Sequence, residues 1–308
     1  MSKTNISASI RQRLFNLSVT SNRQFDEILG YYSMERFIHR LSQSHYRDKF
    51  ILKGALMFAV WDLSYTRATR DIDLLGYIKN TPENINKIIK EICSIENDED
   101  GIKFIVDSVT SEIINRDSEY SGVRTTFFAE IARAKSRIQI DIGFNDIVHP
   151  KPVSIKYPTL IGMTTPEIYS YTPETLIAEK VHAMFYHAVK NSRIKDYFDI
   201  WFLSHQFEFD GQELITAIHK TFTKRDTNLP KVGDYILSGE YENDITKQKQ
   251  WSAFIKKNKL SVAQNDFKTV FRHIKSFILP LFKIDMKNIN SFRIKWLPSG
   301  PWKTFESK

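Results

Sequence analysis

Cysteine is almost absent from this chain, with one thiol, Cys93, in 308 residues. A single cysteine closes no intrachain disulfide and offers no metal-site spacing, so a disulfide scaffold is excluded. Cys93 reads as a small buried helix residue. Long apolar runs are missing too. No stretch reaches the roughly 18 apolar residues of a membrane-spanning helix. The first residues, MSKTNISASIRQRLF, contain no apolar segment of the signal-peptide kind. Neither internal repeats nor low-complexity tracts occur. The expectation is a cytoplasmic protein without a membrane partner.

What remains supports a packed core, with 42% apolar and 13% aromatic residues. The length suits two domains or one elaborated domain. Charge is unevenly placed. Residues 251–308 hold 12 Lys/Arg against 3 Asp/Glu, a net of +9, whereas the other 250 residues hold 32 against 33. A basic excess confined to one segment points to a polyanionic partner met by that region. The bland alternative is charge that only keeps the chain soluble, with Trp296 and Trp302 in the core.

The most informative stretch runs from Lys53 to Gly76. Thr69 to Leu75 reads as a short buried strand, which puts Asp71 and Asp73 on one face, roughly 6.6 Å apart. Two neighbouring carboxylates repel each other and are costly at a core position. A divalent cation between them relieves both, and hard oxygen donors suit Mg²⁺ with substrate phosphates. Upstream, Lys53-Gly54-Ala55 follows the apolar run Phe50-Ile51-Leu52. Gly54 allows close backbone approach to a phosphate, and Leu56 to Trp61 can form a helix beyond it. Each signal alone is common: a D-x-D is usually a solvated strand end, and a glycine after an apolar run is usually a turn. Their proximity, with Arg67 and Arg70 between them, favours a phosphate site.

Residues 6–43 read as two helices broken at Thr20-Ser21-Asn22, with a Ser/Asn cap starting the second. Arg11, Arg13, Arg36, Arg40 and Arg47 read as a solvated face. Thr81-Pro82-Glu83 starts a helix to about Ser94. Segments 103–109, 111–116, 122–132 and 136–144 read as strands, the last two joined through Ala134-Lys135-Ser136. Asp141 shares a strand face with Gln139 and Gly143, as a third carboxylate for a metal site or as an edge-strand residue facing water. Asp146 is a weaker competitor. Pro150 to Tyr171 reads as a connection in which Leu160-Ile161 forms a short strand. Thr172-Pro173-Glu174 opens a helix where Lys180 interrupts an apolar stripe, so that it either snorkels or meets an anion. Lys180→Met should then fold normally. His182 and His187 read as ordinary helix residues. Asp196 lies in a helix apolar almost all round, and Asp196 with Asp199 forms either a structural ion-pair network or part of a site. Residues 211–222 and 262–283 look helical, 239–259 a polar loop leading to a short helix at 251–255.

Lys53-Gly54-Ala55, eleven further residues, then Arg67-x-Thr69-x-Asp71-x-Asp73 resembles the first motif of the AbiEii/AbiGii family. These are nucleotidyltransferase-like toxins of the DNA-polymerase-β-type superfamily, related to MenT-type toxins. Glu179-Lys180 and Arg193-x-Lys195-Asp196-x-x-Asp199 resemble the family's later motifs, and the likeness spans roughly residues 45–205. The usual second small residue after the lysine is Gly or Ser; Ala55 here leaves only backbone contacts to phosphate.

The resemblance implies that Asp71, Asp73 and Asp141 hold Mg²⁺ or Mn²⁺. It also implies that Lys53, Gly54, Ala55, Arg67, Arg70 and Lys180 bind the phosphates of an NTP, and that Asp196 positions Lys180. The implied activity is transfer of a nucleoside monophosphate to RNA, such as a tRNA 3′ end. The implied setting is a toxin–antitoxin or phage-defence system with a cognate antitoxin. Two alternatives stay open: a nucleic-acid-binding protein with a degenerate transferase core, and a nucleotide-dependent phosphotransferase. The expected fold is α/β (α+β). A nucleotidyltransferase-like mixed sheet with N-terminal helices covers 1–165, and a helical domain completing the nucleotide site covers 166–308.

Overall fold

A computed structural model describes residues 3–61, 69–116, 120–187, 193–231, 235–260, 266–284, 286, 289 and 293–304. The chain divides into two compact units, Met1–Asn145 with Val153–Ser170, and Asp146–Pro152 with Tyr171–Lys308. No helix among the described residues is long and apolar enough to cross a membrane.

The first unit opens with helices α1 (Lys3–Thr20) and α2 (Phe25–Gln43). The break falls where expected, but the second helix starts from Gln24, which makes no side-chain cap bond. Asp26 and Glu27 in its first turn favour the helix dipole instead. Strand β1 (Phe50–Lys53), the short helix α3 (Met57–Val60) and β2 (Asp71–Gly76) follow. Helix α4 (Pro82–Cys93) starts as its sequence signals, with Thr81 Oγ1 accepting the Asn84 amide and Pro82 in the first turn. Strands β3 (Lys103–Arg116), β4 (Tyr120–Ile131), β5 (Ala134–Phe144), β6 (Val153–Lys156) and β7 (Glu167–Ser170) complete the unit.

All seven form one mixed sheet in the order β3-β4-β5-β2-β1-β7-β6. The β2–β5 and β1–β7 pairs are parallel and the others antiparallel. The two segments expected at 103–109 and 111–116 are one strand with a register shift between Ile105 and Thr110. The β4–β5 hairpin turns at Ala132 and Arg133, whose φ values of 44° and 69° are those of a two-residue turn. Ala134, Lys135 and Ser136, expected as the turn, are already paired in β5. Leu160 lies in a turn, not a strand.

Burial on one face of the sheet supplies the core, through Ile72, Leu74, Ile140 and Ile142. Arg36 and Arg40 overturn the reading of the α2 arginines as solvated, since both are buried. Arg40 grips Asp100 at 2.7 and 3.2 Å. Arg36 pairs with Glu35 at 2.9 Å and donates to the Thr164 carbonyl, and Glu35 accepts the Leu160 amide at 2.7 Å. The Glu35–Arg36 pair thereby ties down the backbone of the segment from Leu160 to Thr164.

The second unit contains α5 (Pro173–His187), α6 (Ile194–Gln206), β8 (Phe209–Asp210), α7 (Gly211–Lys224), α8 (Gly239–Asn243), α9 (Ile245–Asn258) and α10 (Phe267–Ile278). Strands β9 (Ile294–Trp296) and β10 (Trp302–Thr304) end it. Helix α5 packs on α6 and α7. The segment expected as a polar loop at 239–259 is α8 followed by α9, each started by a capping side chain, Ser238 and Asp244. β8, β9 and β10 form a small antiparallel sheet. Trp296 is buried and donates to the Ser204 carbonyl, and Trp302 donates to that of Phe277. Both tryptophans therefore belong to packing.

Candidate active site

Strand register builds the first cluster. Lys53 stands opposite Asp73, Asp73 opposite Asp141, and Asp141 opposite Arg124, on β1, β2, β5 and β4. Residues paired across strands share a face, so the row reads cation, acid, acid, cation. Two positions along β2, Asp71 stands opposite Gln139. Each of Asp71, Asp73 and Asp141 offers a carboxylate oxygen, and these oxygens lie within 4.8 Å of one another. Asp141 lies in an interior strand and is 3% exposed, so the edge-strand alternative is excluded.

Supporting side chains hold two of these acids. Arg124 forks over Asp141, Nε to Oδ1 and Nη2 to Oδ2, both at 2.8 Å, the bidentate geometry of a strong charge-assisted pair. Gln139 Nε2 approaches the same carboxylate at 3.4 and 3.5 Å. Thr69 donates to Asp71 Oδ1 at 2.7 Å, and its own amide is tied to the Tyr31 hydroxyl of α2.

Gly54 is required by contact as well as conformation. Its φ is +71°, and a Cβ there would stand 2.1 Å from Asp73 Oδ2. The backbone thus comes directly against Asp73, and the next residue, Ala55, is buried. Lys53 is buried beside them and Arg70 is exposed at the strand's start. Arg67 lies outside the described residues.

Within the second unit, α5 and α6 build another cluster. Lys180 Nζ meets Asp196 Oδ1 at 3.0 Å and Asp199 Oδ2 at 2.9 Å, and Arg193 Nε meets Asp196 Oδ2 at 3.0 Å. Both carboxylates are fully buried. Lys180 therefore has anionic partners and does not snorkel. Its neighbour Glu179 accepts from the Tyr171 hydroxyl at 3.1 Å, while Arg225 reaches Glu179 at 3.5 Å and Asp146 at 3.0 Å. Burial lowers the Arg225 pKa, but Glu179 and Asp146 outweigh it and the net shift is upward. Burial, and secondarily Glu179, raises the Tyr171 hydroxyl well above its ordinary value. Asp146 is thus a structural partner of Arg225.

Sequence reasoning missed Arg124, Gln139 as a contact of Asp141, and Arg225. A correctly placed β4–β5 turn would have found Arg124, because opposing Ile131 to Ala134 sets Arg124 opposite Asp141.

Comparison with known proteins adds the family. The family model described as "Nucleotidyl transferase AbiEii toxin, Type IV TA system" matches residues 36–273. No curated protein sequence matches the chain significantly. Among solved structures, JHP933 from Helicobacter pylori is 13% identical, with a TM-score of 0.50 over 86% of this chain and 97% of that one. A second H. pylori structure, of a candidate nucleotidyltransferase, is 14% identical, with a TM-score of 0.45 over 82% and 96%. At such identity the likeness to JHP933 is one of fold.

Proposed function

The chain belongs to the AbiEii family of nucleotidyltransferase toxins of type IV toxin–antitoxin systems, and from that premise we propose that it moves a nucleoside monophosphate from an NTP to RNA, at the 3′ end of a tRNA, in a divalent-metal-dependent reaction. The observation that carries this reading is the close approach of the Asp71, Asp73 and Asp141 carboxylates. Three hard oxygen donors fit Mg²⁺ or Mn²⁺, and Asp71, Asp73 and Asp141 would hold it. A metal bound there would act as a Lewis acid on the triphosphate.

The chain's own residues supply the rest. Lys53, the Gly54–Ala55 backbone and Arg70 bind phosphates, with Arg67 assigned to the same task. Lys180, held by Asp196, contacts the triphosphate. Asp141 orients the acceptor hydroxyl and takes its proton. Each carboxylate oxygen can accept more than one bond, so Asp141 can serve the hydroxyl while Arg124 holds it. The hydroxyl oxygen bonds to the α-phosphorus, the bond from that phosphorus to its bridging oxygen breaks, and pyrophosphate leaves. Family membership implies an antitoxin as partner. The basic excess of residues 251–308 supports a polyanionic acceptor.

Incubation with each α-labelled NTP, Mg²⁺ and total bacterial RNA tests the proposal. Label should enter RNA with release of pyrophosphate, and neither should occur with chelator. Transfer of γ-label alone would make the protein a phosphotransferase. RNA binding without any turnover would leave the degenerate-core alternative.

A further inference from the structure

A cavity of about 370 Å³ in the second unit lies between the end of α5, the end of α7 and the segment after α7. That volume is at the small end of ligand sites. Its walls include His182, Tyr186, Phe222, Thr227, Asn228 and Lys231. The His182 and Tyr186 rings are nearly parallel, 18° apart with centroids 5.5 Å apart, and Phe222 meets His182 edge-on at 4.9 Å. Tyr186 is 45% exposed, an unusual position for a large aromatic residue.

A relay of hydrogen bonds fixes the His182 ring. Arginine can only donate, so Arg225, 3.2 Å from Nδ1, makes that nitrogen an acceptor. Nε2 then carries the proton and donates to Thr227 Oγ1 at 3.0 Å, and Thr227 donates to the Phe222 carbonyl at 3.2 Å. Burial, then Arg225 and His187, push the His182 pKa down to about 3, which keeps the ring neutral. The cavity therefore has an uncharged aromatic wall in which both nitrogens of the His182 ring are already bonded. Asn228 adds an amide with both donor and acceptor, and Lys231 adds a cation.

We propose that this cavity is a subsite for one unstacked nucleobase of the RNA acceptor, held by stacking on Tyr186 and read by the Asn228 amide, with Lys231 toward the adjoining phosphate. Aromatic faces with an amide and a cation are how proteins take splayed bases of single-stranded RNA. The assignment rests on the reading of RNA as acceptor. It favours the acceptor over the NTP because His182 and Lys180 are two residues apart on α5, about 200° around the helix. The cavity and the lysine assigned to the triphosphate thus lie on opposite sides of α5.

Tyr186→Ala and Asn228→Ala in the full-length protein test this. Three quantities are measured at one salt concentration: affinity for a labelled single-stranded RNA octamer, affinity for each NTP, and transfer of α-label to RNA. Thermal midpoints check folding. Tyr186→Ala should weaken octamer binding at least fivefold and leave NTP affinity unchanged. Asn228→Ala should change the preference among octamers of different base composition. Unchanged octamer binding in both variants, beside a wild type that modifies RNA, overturns the subsite and leaves the transferase reading standing. Loss of NTP affinity with intact octamer binding also overturns it, by assigning the cavity to a free nucleotide. A wild type that neither binds nor modifies RNA removes the acceptor reading and the subsite with it.

Discussion

Lys180→Met separates the two roles open to this lysine. Lys180 is 12% exposed and stands between Asp196 and Asp199, both fully buried. Removing one partner of a buried ion pair typically costs about 3–5 kcal/mol, because the remaining charge is left in low dielectric. Arg193 stays on Asp196 at 3.0 Å, so the lower end, about 3 kcal/mol, is expected. For a unit of this size that lowers the thermal midpoint by roughly 6–12 °C. The sequence alone predicts only that folding survives, since methionine replaces the lysine stem. Calorimetry of wild type, Lys180→Met and Lys180→Met/Asp199→Asn makes the test. The double variant, with one buried charge fewer, should recover much of the loss. A Lys180→Met midpoint within about 2 °C of wild type would refute the energetic argument. NTP affinity, measured well below either transition, decides the second role. A tenfold loss, about 1.4 kcal/mol, that persists in the double variant assigns Lys180 to the triphosphate. Recovery of affinity along with stability would leave it a structural residue.

Asp73→Asn should abolish metal-dependent pyrophosphate release while leaving the thermal midpoint unchanged or higher, because carboxylate repulsion is relieved; an active variant removes Asp73 from the mechanism. Arg124→Gln takes the guanidinium from a buried Asp141. It should destabilise by about 1–2 kcal/mol in urea, a figure reduced because Arg124 is 35% exposed, and Mg²⁺ should restore more stability to it than to wild type. Burial outweighs Arg36 and raises Glu35 to about 7. Its folded pKa exceeds the unfolded one, so its contribution is present below about pH 4.5 and is lost as pH rises through 7; Glu35→Gln should remove a decline on the order of 3 kcal/mol from the stability profile, and identical profiles would contradict it. Lys295 is ion-paired with Glu208, whereas Lys249, Lys256 and Lys257 are exposed on α9. Lys256→Gln/Lys257→Gln should therefore flatten the salt dependence of RNA binding by about 0.7–0.9 per phosphate contact, and more than Arg293→Gln/Lys295→Gln does.

Local patterns carried much of this structure. Pro82 behind a capping Thr81 and the period-two alternation of Asp71-Ile72-Asp73 and Ile140-Asp141-Ile142 are signals within a few residues, and they placed α4 and the acidic strands. What failed depended on partners far along the chain. Arg36 and Arg40 look like helix-surface charges until Glu35, Asp100 and the loop at Thr164 bury them. The hairpin shows how a small error spreads. A turn at Ala134–Ser136 would set Asp141 opposite Ala129, an apolar neighbour with nothing to say about the site. The observed turn at Ala132–Arg133 sets it opposite Arg124. Ala132 and Arg133 are not the Asn-Gly or Asp-Gly pair that favours positive φ, so the turn is chosen by strand pairing and left no local signature.

Charge balance distinguishes the acidic clusters from one another. In the second unit, Lys180 bridges Asp196 and Asp199, and Arg225 bridges Asp146 and Glu179. In each, a resident cation lies between two acids and already does what a metal ion would do. The sheet cluster differs in number and arrangement. Three carboxylates approach within 4.8 Å, and its two cations, Lys53 and Arg124, come from the strands on either side. Formal charges leave one negative charge over, on a face where Asp71 and Asp73 remain partly accessible. A divalent ion would turn that balance to one positive charge, as the triphosphate role proposed above requires. Gly54 is set by contact and conformation, since its φ is +71° and even a methyl group there would collide with Asp73. The strand pairs, the missing Cβ and the leftover charge thus support the metal and phosphate roles proposed for this cluster.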